Sequence, residues 1–340
     1  MKKLLALLLA FAMIFALVSC GNESTTGSES KTDDETTKTE NVTVRVAALK
    51  GPTGMGMSKL MEDDALGTTA NDYAFTLAAA PEEVSAAVIR GDVDIAAVPV
   101  NLASTLFTKT NGAVSFAAVN TLGVLYILEN GNTVNSLADL KGKKLYATGQ
   151  GATPQYILEH LLTQNGFDLE NDIEIEYVGE HAALATLLAT NDAAIGILPE
   201  PQVTSALTTA KKDGNTDLRI ALNVTEEWGK TNETDLVQGC IIVSKQFKEA
   251  HPEQFEAFMN EYKASAAYVV ENPADASLLI EKYGIVPKAA LAEKAIPNCN
   301  ICCVDGDEGI AYMKGILEVL FAANPKSVGG TLPTEEFYAK

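Results

Sequence analysis

Two proline- or glycine-rich turns in this 340-residue sequence carry groups that could bind a small polar molecule. The segment Gly51–Gly56 (GPTGMG) places backbone N–H groups at the start of a predicted helix, where they could donate to a ligand. No Lys-Ser/Thr pair follows this segment, which excludes a phosphate-binding P-loop. The segment Pro199-Glu200-Pro201 holds one carboxylate between two prolines. That carboxylate could accept a hydrogen bond from a ligand N–H, or could simply be an acid in a first helical turn.

The second of these turns belongs to a repeat whose two copies are about one hundred residues apart. Residues 91–101 read GDVDIAAVPVN, and residues 191–201 read NDAAIGILPEP. In each copy an apolar helix precedes a Gly/Asn-Asp turn, a short apolar strand and a proline-marked turn into the next helix. The repeat predicts two similar α/β lobes, and ligands of open α/β sheets bind at the carboxyl ends of the strands. A cleft between the lobes is therefore expected.

The candidate ligand-binding residues lie at predicted strand ends on both sides of this cleft. Some have a structural alternative: Asn101 could cap the next helix, and Thr153 could be the N-cap of a helix whose first residue is Pro154. The candidates are Thr53, Gly54, Met55, Pro99, Asn101, Thr121, Gln150, Gly151, Thr153 and Glu200.

The first residues have the pattern of a secretory leader. Two lysines precede an uncharged apolar run, residues 4–17, which is shorter than the roughly 20 residues that span a membrane. The run ends in Leu17–Cys20 (LVSC), which resembles a bacterial lipobox. We therefore predict a signal peptide at residues 1–19 and lipidation of Cys20. The segment up to residue 41 lacks large apolar side chains after this cysteine, so 20–41 is predicted to be a disordered tether.

Charge and motifs narrow the possible functions. The formal net charge of −20 makes nucleic acid an unsuitable partner. The sequence contains no nucleophile elbow, HExxH helix or recognisable catalytic triad. Binding is therefore favoured over catalysis, with no catalytic residue and no cofactor predicted.

Four cysteines lie in the predicted globular part: Cys240, Cys299, Cys302 and Cys303. The last three lack a second CxxC or a nearby histidine pair, so no metal site is predicted. A buried apolar role and a single disulfide both remain open, since a disulfide can form outside the cytoplasm.

Strands and helices are predicted to alternate from residue 42 onward, which indicates a mostly parallel sheet flanked by helices in each lobe. Beyond the predicted strand Cys240–Ser244 the chain is predicted to be mostly helical.

Four segments of the sequence resemble one family of transport proteins. They are the lipobox, the strand and turn GDVDIAAVP, the segment SLADLKGKKLYA (136–147) and the ending PKSVGGTLPTEEFY (325–338). Together they are similar to ABC transporter substrate-binding lipoproteins of the nitrate/sulfonate/thiamine-precursor group.

The resemblance implies an α/β, two-lobed periplasmic-binding-protein-like (type II) fold with a cleft between the lobes. In this family the chain crosses between the lobes twice. The resemblance thus implies that residues 42–128 and 236–340 form lobe 1, and that residues 129–235 form lobe 2.

The function that the resemblance implies is capture of a small molecule and its delivery to an ABC permease. The protein would be extracytoplasmic and held at the bacterial cell membrane by the lipid on Cys20. One alternative is an enzyme with the same fold, of the menaquinone-pathway or pyrimidine-synthase type. Those enzymes are cytoplasmic, so the lipobox argues against this alternative. A surface sensor is a third possibility.

The ligand class stays open between a heterocycle such as a vitamin precursor and an anion resembling sulfonate or nitrate. The candidate loops contain few cations, and Lys50 is the nearest. The carboxylate of Glu200 suits a nitrogen-rich heterocycle better than an anion.

Overall fold

Two β-sheets and the helices around them make up residues 42–339, which the computed structural model describes. The predicted signal peptide, the lipidation site Cys20 and the tether lie outside the described residues, as does Lys340. The described strands are β1 Thr43–Leu49, β2 Asp72–Ala78, β3 Ile95–Pro99, β4 Val114–Leu122, β5 Leu125–Asn130, β6 Lys144–Ala147, β7 Glu174–Tyr177, β8 Ile195–Pro199, β9 Leu218–Asn223, β10 Val237–Ser244 and β11 Ile301–Val304.

Helices connect most of these strands, and short 3₁₀ turns cover Leu137–Leu140, Ile296–Asn298, Pro325–Val328 and Glu335–Tyr338. The described α-helices are α1 Pro52–Met55, α2 Ser58–Ala65, α3 Pro81–Arg90, α4 Val100–Lys109, α5 Thr153–Gln164, α6 His181–Ala189, α7 Gln202–Lys212, α8 Val224–Gly229, α9 Lys245–Ala250, α10 Pro252–Glu271, α11 Pro273–Lys282, α12 Ala289–Ala295 and α13 Gly306–Ala323.

The two sheets repeat one arrangement of strands. The first has the order β11-β4-β10-β3-β1-β2, and the second has the order β7-β6-β8-β5-β9. The repeat strands β3 and β8 occupy equivalent places, because each has an antiparallel neighbour, β10 or β5, and a parallel neighbour, β1 or β6. The predicted duplication of an α/β unit is thus present in the topology.

The same local geometry precedes both repeat strands. Helix α3 ends at Gly91 and helix α6 ends shortly before Asn191, and these residues have φ angles of 75° and 63°. Glycine and asparagine are the residues that most readily adopt this left-handed conformation, which turns the chain from a helix into the next strand.

The prediction that the sheets are mostly parallel is wrong. Among the described strand pairs, four are parallel and five are antiparallel. The reason is that β5 and β10 each begin just after the chain has passed from the other sheet. They start at the end where β3 and β8 finish, so they run against those strands.

The chain passes between the sheets at two places. Gly123 and Val124 link β4 of the first sheet to β5 of the second. Helix α8 and the segment after it link β9 back to β10. The first change of sheet lies a few residues before the expected lobe boundary at residue 128.

A shared apolar core holds the two sheets together. One cluster of buried side chains includes Val98 from β3, Leu125 from β5, Leu145 from β6, and Leu317 from α13. Helix α13 packs against α5 of the second sheet and against α4 and β4 of the first. All described residues accordingly belong to one compact unit. Within residues 42–339 no helix has the length and apolar character needed to cross a membrane.

Candidate functional site

Three of the predicted site residues converge on a glycine of the first sheet. In the strand registers Gly239 of β10 lies beside Pro99 of β3 and beside Thr121 of β4. A Cβ atom on Gly239 would lie 2.6 Å from Cγ2 of Thr53 and 3.1 Å from Cβ of Thr121. The glycine-rich turn, the first repeat turn and the end of β4 therefore meet at one point, which we call the Gly239 cluster.

Asn120 joins the members of the Gly239 cluster by hydrogen bonds. Its Nδ2 donates to the carbonyl oxygen of Thr53 at 3.1 Å, and its Oδ1 accepts from Thr121 Oγ1 at 3.2 Å. The side chain is completely buried. Asn120 was not among the residues predicted from the sequence, although its position next to Thr121 in a mostly apolar strand was a usable signal.

Glu200, the carboxylate between two prolines, is buried at the end of β8 with 2% of its surface exposed. Its Oε2 accepts from the Thr204 backbone N–H at 3.2 Å, and its Oε1 accepts from Thr204 Oγ1 at 2.9 Å. Glu200 lies just before the N-cap residue Pro201, so it is not itself an acid of the first turn of α7, but its carboxylate accepts from a backbone N–H of that turn. Burial raises the pKa of Glu200, and the hydrogen bonds from Thr204 and Asn298 partly oppose that rise.

Asn298 ties the second sheet to a segment that leads into the first. Its Nδ2 donates to Glu200 Oε1 at 3.3 Å, and its carbonyl oxygen accepts from the hydroxyl of Tyr126 at 2.9 Å. Glu200 and Tyr126 belong to the second sheet, whereas Asn298 comes just before β11 of the first. This pair of bonds holds the two lobes together at the position of the carboxylate.

Hydrogen bonds to backbone groups connect Glu200 to the crossing and through it to the Gly239 cluster. The Glu200 N–H donates to the Val124 carbonyl at 2.9 Å, and the Val124 N–H donates to Oε1 of Gln238, the neighbour of Gly239, at 2.5 Å. Nδ2 of Asn300 donates to the Gly123 carbonyl at 2.5 Å. Polar groups of both sheets therefore gather where the chain crosses between them.

Three further predicted site residues, Gly54, Met55 and Asn101, lie in different surroundings. Gly54 is buried, and Met55 is fully buried in an apolar cluster that also contains Phe258 and Tyr262. Asn101 is partly buried in the first turn of α4. Met55 is thus packed as a core residue.

The turn that contains Gln150 and Gly151 is exposed and makes contacts toward the C-terminal part of the chain. The Gly151 carbonyl accepts from the hydroxyl of Tyr156 at 3.3 Å, and that hydroxyl accepts from Nδ2 of Asn324 at 2.8 Å. Thr153 is 9% exposed and is the first residue of α5. Its prediction as the N-cap is wrong, because the helix begins one residue earlier and Ala152 holds that position.

A histidine that sequence analysis left without a role lies at the same edge of the second sheet. Its Nδ1 is 2.6 Å from Oγ1 of Thr148, which follows β6, and His181 itself follows β7. Thr148 is 2% exposed. Burial lowers the pKa of His181, so its imidazole is neutral at pH 7.

The four described cysteines are free thiols, of which Cys240 and Cys299 are buried. Burial raises the pKa of Cys302 to about 12 and the pKa of Cys303 to about 11. These thiols are protonated at neutral pH and are therefore poor nucleophiles. In the described part of the chain, no group of three or more His, Cys, Asp or Glu side chains could hold a metal ion.

The protein has a two-lobed periplasmic-binding-protein-like fold. It consists of two mixed β-sheets flanked by helices, and the chain crosses between them twice, with polar side chains at the junction. The family model described as NMT1/THI5 like matches residues 74–276, which is more than half of the chain. The chain belongs to the NMT1/THI5-like family. No curated protein matches it significantly.

Solved structures of similar fold include an ABC transporter protein and two ligand-binding proteins. An ABC transporter protein from Parabacteroides distasonis is 22% identical, with a TM-score of 0.72, and the match covers 88% of this chain and 99% of that one. The periplasmic aliphatic sulphonate binding protein SsuA from Escherichia coli is 17% identical, with a TM-score of 0.66 and coverage of 86% and 92%. The ligand-binding component of an ABC-type import system from Staphylococcus aureus, solved with zinc bound, is 12% identical, with a TM-score of 0.60 and coverage of 87% and 97%.

Proposed function

We propose that this protein is the solute-binding component of an ABC importer, which captures a small molecule between its lobes and delivers it to a permease. The observation that supports this most directly is the meeting of the Gly239 cluster with Glu200 at the crossings. Groups from both sheets can contact one molecule there. Family membership and the import proteins of similar fold support the same function.

Capture would proceed by closure of the lobes around the crossings. The bonds that Asn298 makes to Glu200 and Tyr126 link the two sides. A solute that contacts both sides favours the closed form, because a ligand shifts an equilibrium only by its difference in affinity for the two states. The permease would recognise that closed form.

The chemistry at the junction favours a neutral, nitrogen-rich solute. The side chains of the Gly239 cluster and around Glu200 are hydroxyls, amides, a phenol and one carboxylate, namely those of Thr53, Thr121, Thr204, Asn120, Asn298, Tyr126 and Glu200. None of them carries a positive charge that would pair with a sulfonate or nitrate. The net charge of −20 also opposes the approach of an anion. A heterocycle with N–H donors fits this set.

The solute that the protein acquires during expression provides the test. We expect protein purified without added ligand to release a small nitrogen-containing molecule upon unfolding, detectable by mass spectrometry. Protein that has been unfolded, dialysed and refolded is the control, and it should release the molecule only after incubation with it. Recovery of an anion with no N–H donor would contradict the proposed ligand class. Chemical conversion of the added molecule would favour an enzyme.

Lipid attachment at Cys20 completes the proposal, since it would place the protein outside the cytoplasm beside its permease. Cys20→Ser removes the sulfur that is proposed to carry the lipid, so the protein should move from the membrane pellet to the soluble fraction after cell fractionation. Durable anchoring needs two or more acyl chains. The substituted protein would carry none at this position, so nearly all of it should move to the soluble fraction. Continued membrane association with incorporation of labelled fatty acid would contradict the assignment of Cys20. Cys303→Ser is the matched control and should leave the distribution unchanged.

A further inference from the structure

We infer that the first lobe carries a second binding site, which accepts a phosphate-class oxyanion in a cavity away from the cleft. The cavity has a volume of about 390 Å³. It is lined by Ser115, Lys245, Lys248, Glu249, Glu336 and Ala339.

The first observation is a buried hydroxyl without a partner. Ser115, near the start of β4, is 2% exposed, and its Oγ has no hydrogen-bond partner among the described residues. Buried polar groups in folded proteins are almost always hydrogen-bonded, so each exception needs an explanation. An oxyanion in the cavity would accept a hydrogen bond from this hydroxyl.

Two ammonium groups of α9 supply the charge. Nζ of Lys248 donates to the carbonyl oxygen of Ala339 at 3.1 Å, and Nζ of Lys245 is 3.7 Å from Oε2 of Glu336. Each lysine is partly buried. Burial lowers the pKa of Lys248, and an anion beside it would oppose that change. Two ammonium groups and one hydroxyl offer several donors to a tetrahedral oxyanion.

Two carboxylates, those of Glu249 and Glu336, also line the cavity, and an anion can bind beside the lysines only if these side chains turn away. The side chain of Glu336 is 77% exposed and can turn into solvent, and Glu249 is also exposed. Removing the Glu336 charge should therefore strengthen anion binding, whereas removing the lysines should weaken it. Both signs follow from charge alone, so a matched pair of lysines elsewhere on the surface is needed to show that the effect belongs to this cavity.

The cavity is separate from the cleft and lies at the other end of the lobe. Ser115 and Thr121 are six residues apart on β4, which corresponds to roughly 20 Å along a strand. Because β4 runs in the same direction as β1, the cavity lies at the end where β1 begins at Thr43. A phospholipid headgroup and free phosphate are both possible sources of the oxyanion.

The first test is a calorimetric titration of the full chain carrying Cys20→Ser with inorganic phosphate. We expect saturable binding that weakens at least tenfold in Lys245→Gln/Lys248→Gln and strengthens severalfold in Glu336→Gln. The pair Lys211→Gln/Lys212→Gln on α7 is the matched control, because it removes the same charge from an exposed surface, and it should bind as the unsubstituted chain does. Absence of saturable binding, or equal affinity in both lysine pairs, would overturn the inference.

A second measurement separates the two sources. Vesicles containing phosphatidylglycerol are sedimented with the Cys20→Ser chain and with each of its two lysine-pair variants. Lysine-dependent sedimentation that inorganic phosphate reverses would identify the headgroup as the source, whereas phosphate binding without sedimentation would identify free phosphate. If a lysine pair impairs folding, as judged by its melting temperature, Ser115→Ala provides a neutral substitution that should weaken phosphate binding by a smaller factor.

Discussion

Replacing Glu200 with glutamine is expected to weaken binding of the co-purified solute by about tenfold or more. A hydrogen bond to a charged group contributes roughly 1.5–3 kcal/mol, and each 1.4 kcal/mol corresponds to a factor of ten in affinity. Glu200 is 2% exposed, so little solvent screens its charge. Titration calorimetry of the solute against both proteins measures the difference. Unchanged affinity with a normal melting temperature would leave Glu200 only as an acceptor for the Thr204 N–H at the start of α7.

Asn298→Ala is the control that shows whether Glu200 contacts the solute or only helps to hold the two lobes together. It removes the 3.3 Å bond to Glu200 but leaves the carboxylate in place. If Glu200 contacts the solute, Glu200→Gln should weaken binding much more than Asn298→Ala does. Equal losses in the two variants would show that Glu200 acts only by holding the lobes together.

The pH dependence of solute binding provides a further check on the same residue. Because burial raises the pKa of Glu200, the carboxylate takes up a proton at a higher pH than an exposed glutamate does. Lowering the pH through that raised pKa removes the negative charge of the proposed acceptor, so the affinity of the unsubstituted protein should fall. The affinity of Glu200→Gln should stay nearly constant over the same range.

The sequence repeat could predict the strand ends on which part of the candidate site lies. An apolar strand followed by proline marks β3 and β8, and the duplication places Pro99 and Glu200 at equivalent strand ends. The carboxyl ends of β3 and β8 lie near the junction of the sheets. Ligands of open α/β sheets bind at the carboxyl ends of the strands. The strand β11 was missed because four residues carry too little periodicity, and its pairing with β4 depends on distant residues.

The polar partners of Glu200 could not be predicted in the same way. Asn298 is 98 residues from Glu200 in the sequence, and it lies in a cysteine-rich segment that drew attention to metal binding instead. The sequence around Gly239 also gives no sign that a side chain would be excluded there. That constraint depends on Thr53 and Asn120, which approach Gly239 across the sheet. Such contacts arise from tertiary packing, whereas sequence patterns report mainly local structure.

Replacing Gly239 with alanine is expected to abolish solute binding and to lower the free energy of unfolding by about 1–3 kcal/mol, as overpacking of a filled site does. The added Cβ would lie 2.6 Å from both Asn120 Oδ1 and Thr53 Cγ2, so at least one of these side chains must move. Movement of Asn120 would disturb its bonds to Thr53 and Thr121. Calorimetric binding and a chemical denaturation curve measure the two effects.

Two further substitutions show whether crowding at the Gly239 cluster causes these effects. Gly229→Ala is the matched control, because a Cβ there meets no atom within 4 Å, and it should leave binding and stability close to normal. Thr53→Ser combined with Gly239→Ala removes the methyl group on one side of the added Cβ, so it should recover part of the lost stability and binding. If Gly239→Ala binds the solute normally, the cluster does not line the binding site. If Thr53→Ser recovers stability but not binding, either the Thr53 methyl group or the displaced Asn120 side chain accounts for the lost binding, and Thr53→Ser alone separates the two.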